Sequence, residues 1–208
     1  ISALDGVQPG LESPNTTHYS IIDQWGNAVS NTYTINWNYG SGVVVEGAGF
    51  LLNNEMDDFS VKPGVPNVFG VVGNTANEIQ PGKRMLSSMS PTILLRDGQV
   101  EMVLGTPGGS TIFTSVFQTI VNILDFDMEP LAAVGATRFH HQLLPPDLIT
   151  YSVMFPLPEE TISALADKGY RAQPHSFEFG DVQVIQRWGD TWVPASDPRD
   201  RGVSRVIQ

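Results

Sequence analysis

Cysteine is missing from all 208 residues, which rules out disulfides, thiolate nucleophiles and thiolate-ligated zinc. Basic residues are scarce. Eleven Lys and Arg stand against 22 Asp and Glu, for a formal net charge of −11. A surface of that sign repels phosphate backbones and anionic headgroups, which argues against nucleic acid and acidic membranes as partners. It leaves the substrate open, because a local site can oppose the global field. Charged residues of either sign make up only 16% and hydrophobic residues 41%, the balance of a globular chain with a substantial core. No run approaches the roughly 18 apolar residues of a membrane span, and no segment has the pattern of a signal peptide.

What is present is strand-rich at the start. Thr16 to Ile22 is β-branched and aromatic, Asp23 to Asn27 supplies turn residues, and Ala28 to Ile35 resumes strand composition. The expected hairpin returns Thr34 and Asn36 toward Thr16. Residues 1–15 hold Asp5-Gly6, Pro9-Gly10 and Ser13-Pro14, all loop punctuation. They read as a tail, the end of something longer, with residues 16–208 expected as one unit. Further strands are expected over 43–45 and 49–52, and over 92–96 and 99–104 around Asp97-Gly98. Two more are expected over 176–187 and 191–195. Helices are expected over 110–124, with Ile112, Phe113, Val116, Phe117, Ile120, Val121 and Leu124 on one core-facing side, and over 130–137 and 159–168, the last closed by Gly169. The fold class is α+β with antiparallel sheet.

Several stretches carry chemistry. If the Asn15–Thr16 bond is cut, Thr16 combines a hydroxyl nucleophile with a free α-amine. That amine titrates near pH ~7.7–8.0 in model peptides, within reach of a general base. While the bond is intact, the Thr16 nitrogen is an amide and cannot serve. Asn53 to Phe59 is densely polar, with Glu55, Asp57 and Asp58; it lacks the glycine and distal glutamate of a helix-loop-helix calcium loop. Ser87-Ser88 is ordinary turn chemistry or a pair of hydroxyl donors. Gly108-Gly109 lies between an expected strand and helix, where backbone N–H groups can face outward as an oxyanion hole. Trp37 and Tyr39 lie in a polar loop and either wall a site or pack on the hairpin. His140-His141 is a poor metal pair, since adjacent residues diverge on strand or helix, and structural hydrogen bonding is the expectation. No metal and no cofactor are expected.

Taken in order, Thr16-Thr17-His18-Tyr19-Ser20, Leu52 to Phe59, Lys62 to Asn67, Leu86 to Thr92 and Pro107-Gly108-Gly109-Ser110 resemble the small, catalytic subunit of the γ-glutamyltranspeptidases. Arg138-Phe139-His140-His141-Gln142 and Ser196-Asp197-Pro198-Arg199 extend the likeness to most of the chain. The resemblance implies a four-layer αββα sandwich of the N-terminal-nucleophile hydrolase type, completed by a large subunit in a heterodimer. It implies autoprocessing between Asn15 and Thr16, with residues 1–15 as the end of the large subunit. Thr16 would then attack γ-glutamyl amides such as glutathione or glutamine, and water or an amino-acid or peptide acceptor would resolve the acyl-enzyme.

By the same resemblance, Thr34 orients the nucleophile and Gly108 and Gly109 hold the oxyanion. Asn36 contacts the carboxylate side of the substrate, Glu55 and Asp58 take its α-amino group, and Ser87 and Ser88 take its α-carboxylate. An arginine of the large subunit would share the carboxylate. The compartment implied is periplasmic or extracellular, with any export signal on the large subunit. Trp37 stands where the family leads one to expect a smaller residue, which bears on acceptor preference. Two alternatives remain: a glutaryl-type acylase of the same fold, and a non-catalytic acidic binding module.

Overall fold

The computed structural model describes residues 16–67, 69–175, 178–199 and 202–207. The chain divides into two compact units, Ile1–Asn15 with Ile35–Leu86, and Thr16–Thr34 with Ser87–Gln208. The tail at 1–15, and Asn15 with it, lies outside the described residues.

The second unit is layered. Strands β1 (Thr17–Ile22) and β2 (Ala28–Tyr33) form the expected hairpin, with Thr17 opposite Tyr33 and Ile22 opposite Ala28. Its turn is organised by Asp23, whose Oδ1 accepts from the backbone of Trp25 and Asn27 at 2.9 and 2.8 Å and whose Oδ2 accepts from the Asn27 side chain at 2.7 Å. Strands β3 (Thr92–Arg96) and β4 (Gln99–Gly105) turn at Asp97-Gly98, both left-handed at φ 51° and 77°, as a tight two-residue hairpin requires. Four more strands follow: β5 (Phe139–His141), β6 (Leu148–Tyr151), β7 (Arg171–Pro174) and β8 (Gln183–Trp188). With β9 (Thr191–Ser196), three sheets are complete: β1-β2, β3-β4-β8-β9 and β5-β6-β7.

The hairpin lies against one face of the four-stranded sheet, and helices α1 (Ile112–Leu124) and α2 (Pro130–Gly135) lie against the other. Strand β4 is therefore buried on both sides. Met102 and Leu104 join Val116, Ile123, Ala133, Val134, Val182, Val184 and Ala195 in the main core, while Val103 and Gly105 alternate toward the hairpin. Helix α3 (Glu159–Asp167) packs on β7 and ends at Gly169, φ 88°.

Four expectations are corrected. Residues 43–45 and 49–52 form no strands but a single bridge, Val44 to Leu51, because glycines at 42, 47 and 49 all sit at positive φ and curl the segment. Of the strand expected over 176–187, residues 176 and 177 lie outside the described residues, and the strand begins at Gln183. Strands β6 and β7 pair in parallel where antiparallel sheet is expected, because α3 carries the chain back between them. Helix α1 does not bury all its apolar residues: Ile112, Ser115, Val116, Thr119 and Ile123 face inward, whereas Phe113 and Phe117 are 51% and 64% exposed.

Two stretches that are 59 residues apart meet in a buried ionic cluster. Asp197 pairs with Arg138 through one carboxylate oxygen and with Arg199 through the other, at 3.0 Å to Arg199 Nη1. Arg199 also donates to Glu178 at 3.2 Å and to the carbonyls of Val134 and Ala136 at 2.9 and 2.7 Å, with its guanidinium over the Phe155 ring. Two cations and two anions cancel, which is how charge survives burial.

The first unit holds together differently. It contains neither α-helix nor extended strand among its described residues, only two 3₁₀ turns at Glu55–Asp58 and Thr75–Asn77 and three isolated bridges. Side-chain amides replace the missing ladders. Asn77 donates to the Asp58 carbonyl at 2.7 Å and accepts from the Leu86 N–H at 3.0 Å; Asn67 donates to the Asp57 carbonyl at 3.4 Å.

Candidate active site

Thr16 stands at the head of β1, half-buried. The register of the hairpin, carried one step beyond Thr17 and Tyr33, sets Thr34 opposite Thr16. Opposed residues of an antiparallel pair share a face, so the two threonine side chains belong to the same side of the hairpin as His18, Ser20, Ser30 and Thr32. That side turns inward: His18 and Thr32 are buried, while Tyr19, Ile21, Val29 and Tyr33 on the other side are exposed. A polar seam thus runs from Thr16 toward the interior.

Strand β4 ends at Gly105 and leads through Thr106 and Pro107 into Gly108-Gly109. Gly108 has φ 137° and Gly109 φ 54°, conformations that a side chain would strain. A Cβ on Gly108 would also stand 2.9 Å from Thr111 Oγ1 and 3.3 Å from the Gly180 backbone. The Gly108 carbonyl is occupied, accepting from the Thr111 N–H at 3.0 Å and from its hydroxyl at 2.8 Å. A 3₁₀ turn, Gly109–Thr111, then opens α1, so this glycine pair precedes a helix N-terminus, where unspent N–H groups gather. Thr106 locks the approach: its hydroxyl donates to the Pro107 carbonyl at 2.7 Å and accepts from the Asp181 N–H at 2.8 Å.

Ser87 is exposed and its Oγ accepts from the Met89 N–H at 3.2 Å; the Ser88 carbonyl accepts from Ser90 at 3.3 Å. These are turn contacts. Because Ser87 receives through a lone pair, its own O–H remains a donor.

The remaining residues lie in the first unit. Glu55 and Asp58 are three apart on a 3₁₀ turn, where i and i+3 eclipse, so both carboxylates share one side. Burial, then the neighbouring charges of Glu55 and Asp57, push the Asp58 carboxyl up to about 6, and burial also raises Glu55. Asn36 adopts φ 74°, rare for any residue but glycine, and donates to the Asn54 carbonyl at 3.3 Å. The Asn54 side chain in turn accepts from the Trp37 N–H at 3.1 Å. Trp37 is half-buried and Tyr39 is 74% exposed.

The structure therefore gathers the expected residues into two groups: Thr16, Thr34, Ser87, Ser88, Gly108 and Gly109 in the layered unit, and Asn36, Glu55 and Asp58 in the other. Sequence reasoning missed His18, Thr106, Asn54 and Asn77. Each acts through hydrogen bonds to distant backbone or hydroxyl groups, which leave no periodic trace. The histidine pair behaves as expected: His140 is buried between Thr114 and Gln142, and the His141 ring bonds the Pro146 carbonyl at 2.9 Å. Among the described residues no three acidic or imidazole groups converge as metal ligands do.

The γ-glutamyltranspeptidase family model matches residues 2–207. The chain belongs to that family. It is 58% identical to the glutathione hydrolase proenzyme of Pseudomonas aeruginosa across all 208 residues, and 47% identical to that of Escherichia coli K12 across 93% of its length. It spans 37% and 33% of those two relatives, about a third of each. Among solved structures, the γ-glutamyltranspeptidase of Pseudomonas nitroreducens complexed with L-DON superposes with a TM-score of 0.87 at 59% identity, over 93% of this chain and all of that one. A cephalosporin acylase from Bacillus halodurans is more distant, at a TM-score of 0.72 and 27% identity over 88% of this chain and 32% of that one. The fold is accordingly the α+β arrangement of the γ-glutamyltranspeptidases, the N-terminal-nucleophile hydrolase type. No helix among the described residues is long and apolar enough to cross a membrane.

Proposed function

We propose that this chain is the catalytic subunit portion of a γ-glutamyltransferase and glutathione hydrolase, released from a proenzyme by cleavage between Asn15 and Thr16. The observation that carries the reading is that Thr16 and Thr34 lie one step past the Thr17–Tyr33 end of a hairpin whose neighbouring strand, β4, runs into Gly108-Gly109. The P. nitroreducens chain is matched over its whole length by 93% of this one.

Once cleaved, the Thr16 amine takes the proton of its own hydroxyl, and Oγ attacks the γ-carbonyl of the substrate. The oxygen of the tetrahedral intermediate is held by N–H groups of Gly108 and Gly109, and collapse expels the amine product to leave a γ-glutamyl ester on Thr16. Water then yields glutamate, or an amino-acid or peptide acceptor yields a new γ-glutamyl bond, in ping-pong order. Thr34 orients Oγ. Asn36, Ser87 and Ser88 face the α-carboxylate end, and Glu55 and Asp58 bind the α-ammonium through charge-assisted hydrogen bonds. A large subunit from the same precursor completes the site and the sandwich, in a periplasmic or extracellular setting.

Intact-mass analysis of the full precursor with and without L-DON tests this. The expected result is a cut at Asn15–Thr16 and one adduct on Thr16, with Thr16→Ala remaining uncut, unlabelled and inactive. Turnover by Thr16→Ala at the normal rate would end the proposal. The distant acylase gives one competing reading, and γ-glutamyl against glutaryl p-nitroanilide separates the two: an acyl group without the α-amine leaves Glu55 and Asp58 unpaired.

A further inference from the structure

His18 lies two residues beyond Thr16 on the inward face of β1, and no step above employs it. Its side chain is nearly inaccessible at 7% exposure. Both ring nitrogens are engaged, Nδ1 with the Thr32 hydroxyl at 2.7 Å and Nε2 with the Ser20 hydroxyl at 3.0 Å. Thr32 is the residue directly opposite His18 on β2, so the first contact joins the two strands of the hairpin. The Cε1 side of the ring also lies against Gly105, the last residue of β4. A Cβ at position 105 would stand 2.3 Å from Cε1, 2.4 Å from Nδ1 and 2.9 Å from Nε2. Gly105 has no left-handed φ, so its lack of a side chain answers to the imidazole and not to backbone geometry.

We propose that His18 is a positioning residue for the reaction: one imidazole ties β1, β2 and β4 together and so holds Thr16 in register with the Gly108-Gly109 loop three residues beyond Gly105. This rests on the reading of Thr16 as nucleophile. After cleavage Thr16 is a chain terminus, and termini fray unless tied down. The β1–β2 ladder begins only at Thr17, and His18 is the first inward side chain behind it, about 7 Å along the strand. With both nitrogens committed to hydroxyls other than that of Thr16, the ring acts through geometry and not as the base. Burial lowers its titration to about 4, which keeps it uncharged in working conditions. Displacement of the nucleophile by an ångström relative to the oxyanion donors costs on the order of 100-fold.

The test uses the full precursor carrying Gly105→Ala, His18→Ala, Thr32→Val, or Gly105→Ala with His18→Ala. Gly105→Ala and His18→Ala should each lower kcat about 10- to 100-fold with KM for γ-glutamyl substrate within two-fold, and slow L-DON labelling of Thr16 by the same factor. The double variant should be no worse than His18→Ala, because the ring that the new methyl strikes is gone. Thr32→Val, which keeps the ring and removes only its Nδ1 partner, should lose roughly 3- to 10-fold in kcat, about what one lost hydrogen bond of ~1 kcal/mol brings. It carries the test if His18→Ala accumulates uncut. Overturning results are kcat within two-fold of the parent in both Gly105→Ala and Thr32→Val, or losses that multiply in the double variant. If the unsubstituted protein takes no label on Thr16, the nucleophile reading falls and this proposal with it. Labelling of the parent and all variants at one rate overturns this proposal alone.

Discussion

His18 is buried and Asp58 half-buried, one in each unit, and burial shifts these two titratable groups in opposite directions: the imidazole falls to about 4 and the carboxyl rises to about 6. For His18 the shift removes a charge, because the neutral ring is the form that the framework needs and its two hydroxyl partners satisfy it. For Asp58 the shift stops short. At neutral pH the carboxylate remains ionised beside Glu55 and Asp57, a like-charge grouping that an arriving cation would relieve. The layered unit settles its buried polarity internally, as the Arg138–Asp197–Arg199–Glu178 cluster also does. The loop unit keeps charge in reserve. On the proposed function, that remaining charge is what binds the substrate ammonium.

The contrast can be broken most severely at Gly108. Gly108→Ala meets Thr111 and Gly180 and forces a side chain to φ 137°; kcat for γ-glutamyl p-nitroanilide should fall about 10²- to 10³-fold, the usual cost of an oxyanion donor. A fall confined to KM would move Gly108 out of the oxyanion role. Next, Asp197→Ala strips buried Arg138 of its carboxylate and leaves Arg199 only Glu178, and should cost about 3–5 kcal/mol of stability in urea unfolding; a loss under 1 kcal/mol would show the cluster to be idle.

Asp58→Asn is the reciprocal case. It should raise KM for γ-glutamyl substrates about 10- to 100-fold, as loss of a charged hydrogen bond does, with the melting temperature unchanged or higher. A lower melting temperature with unchanged KM would place Asp58 in the framework after all.

The smallest effect is in the pH dependence. Substrate ammonium favours ionised Asp58, so KM should rise as pH drops below about 6, by at most ten-fold per unit, and this limb should vanish in Asp58→Asn. The linkage to stability has opposite signs in the two units. Asp58, raised above its ordinary 3.8, contributes stability below that value which is lost as pH climbs to about 6. His18, lowered from 6.5, contributes stability above 6.5 which is lost as pH falls toward about 4. Proton uptake on unfolding at pH 5 should therefore drop by nearly one in His18→Asn and rise by nearly as much in Asp58→Asn.

Local signals carried much of the fold into view. The two hairpins were legible because Asp23 to Asn27 and Asp97-Gly98 dictate turns within a few residues, and α1 and α3 because their apolar period or glycine stop is local. Residues 43–52 misled, since valine runs suggest strands and the intervening glycines win. Phe113 and Phe117 misled for another reason: an apolar residue on a helix states a preference for burial but not which neighbour is available to bury it. The candidate residues were legible as motifs, yet their support was not. Asn77 beneath Asp58 is one asparagine in a polar loop, and Gly105 gives no sign of the imidazole that lies against it.

By itself the sequence determined which chemistry is open to this protein. Without cysteine, and with a threonine followed by a strand, a glycine pair before a helix and a cluster of carboxylates at 55–58, the reactive types and their order along the chain are set by covalent identity. Only the tertiary structure decided that the stretches around Arg138 and Asp197 form one neutral cluster, that Thr34 stands opposite Thr16, and that a histidine occupies the space a side chain at 105 would need. Those outcomes depend on strand register and on close packing between segments distant in sequence, where a single methyl group is the difference between fit and collision.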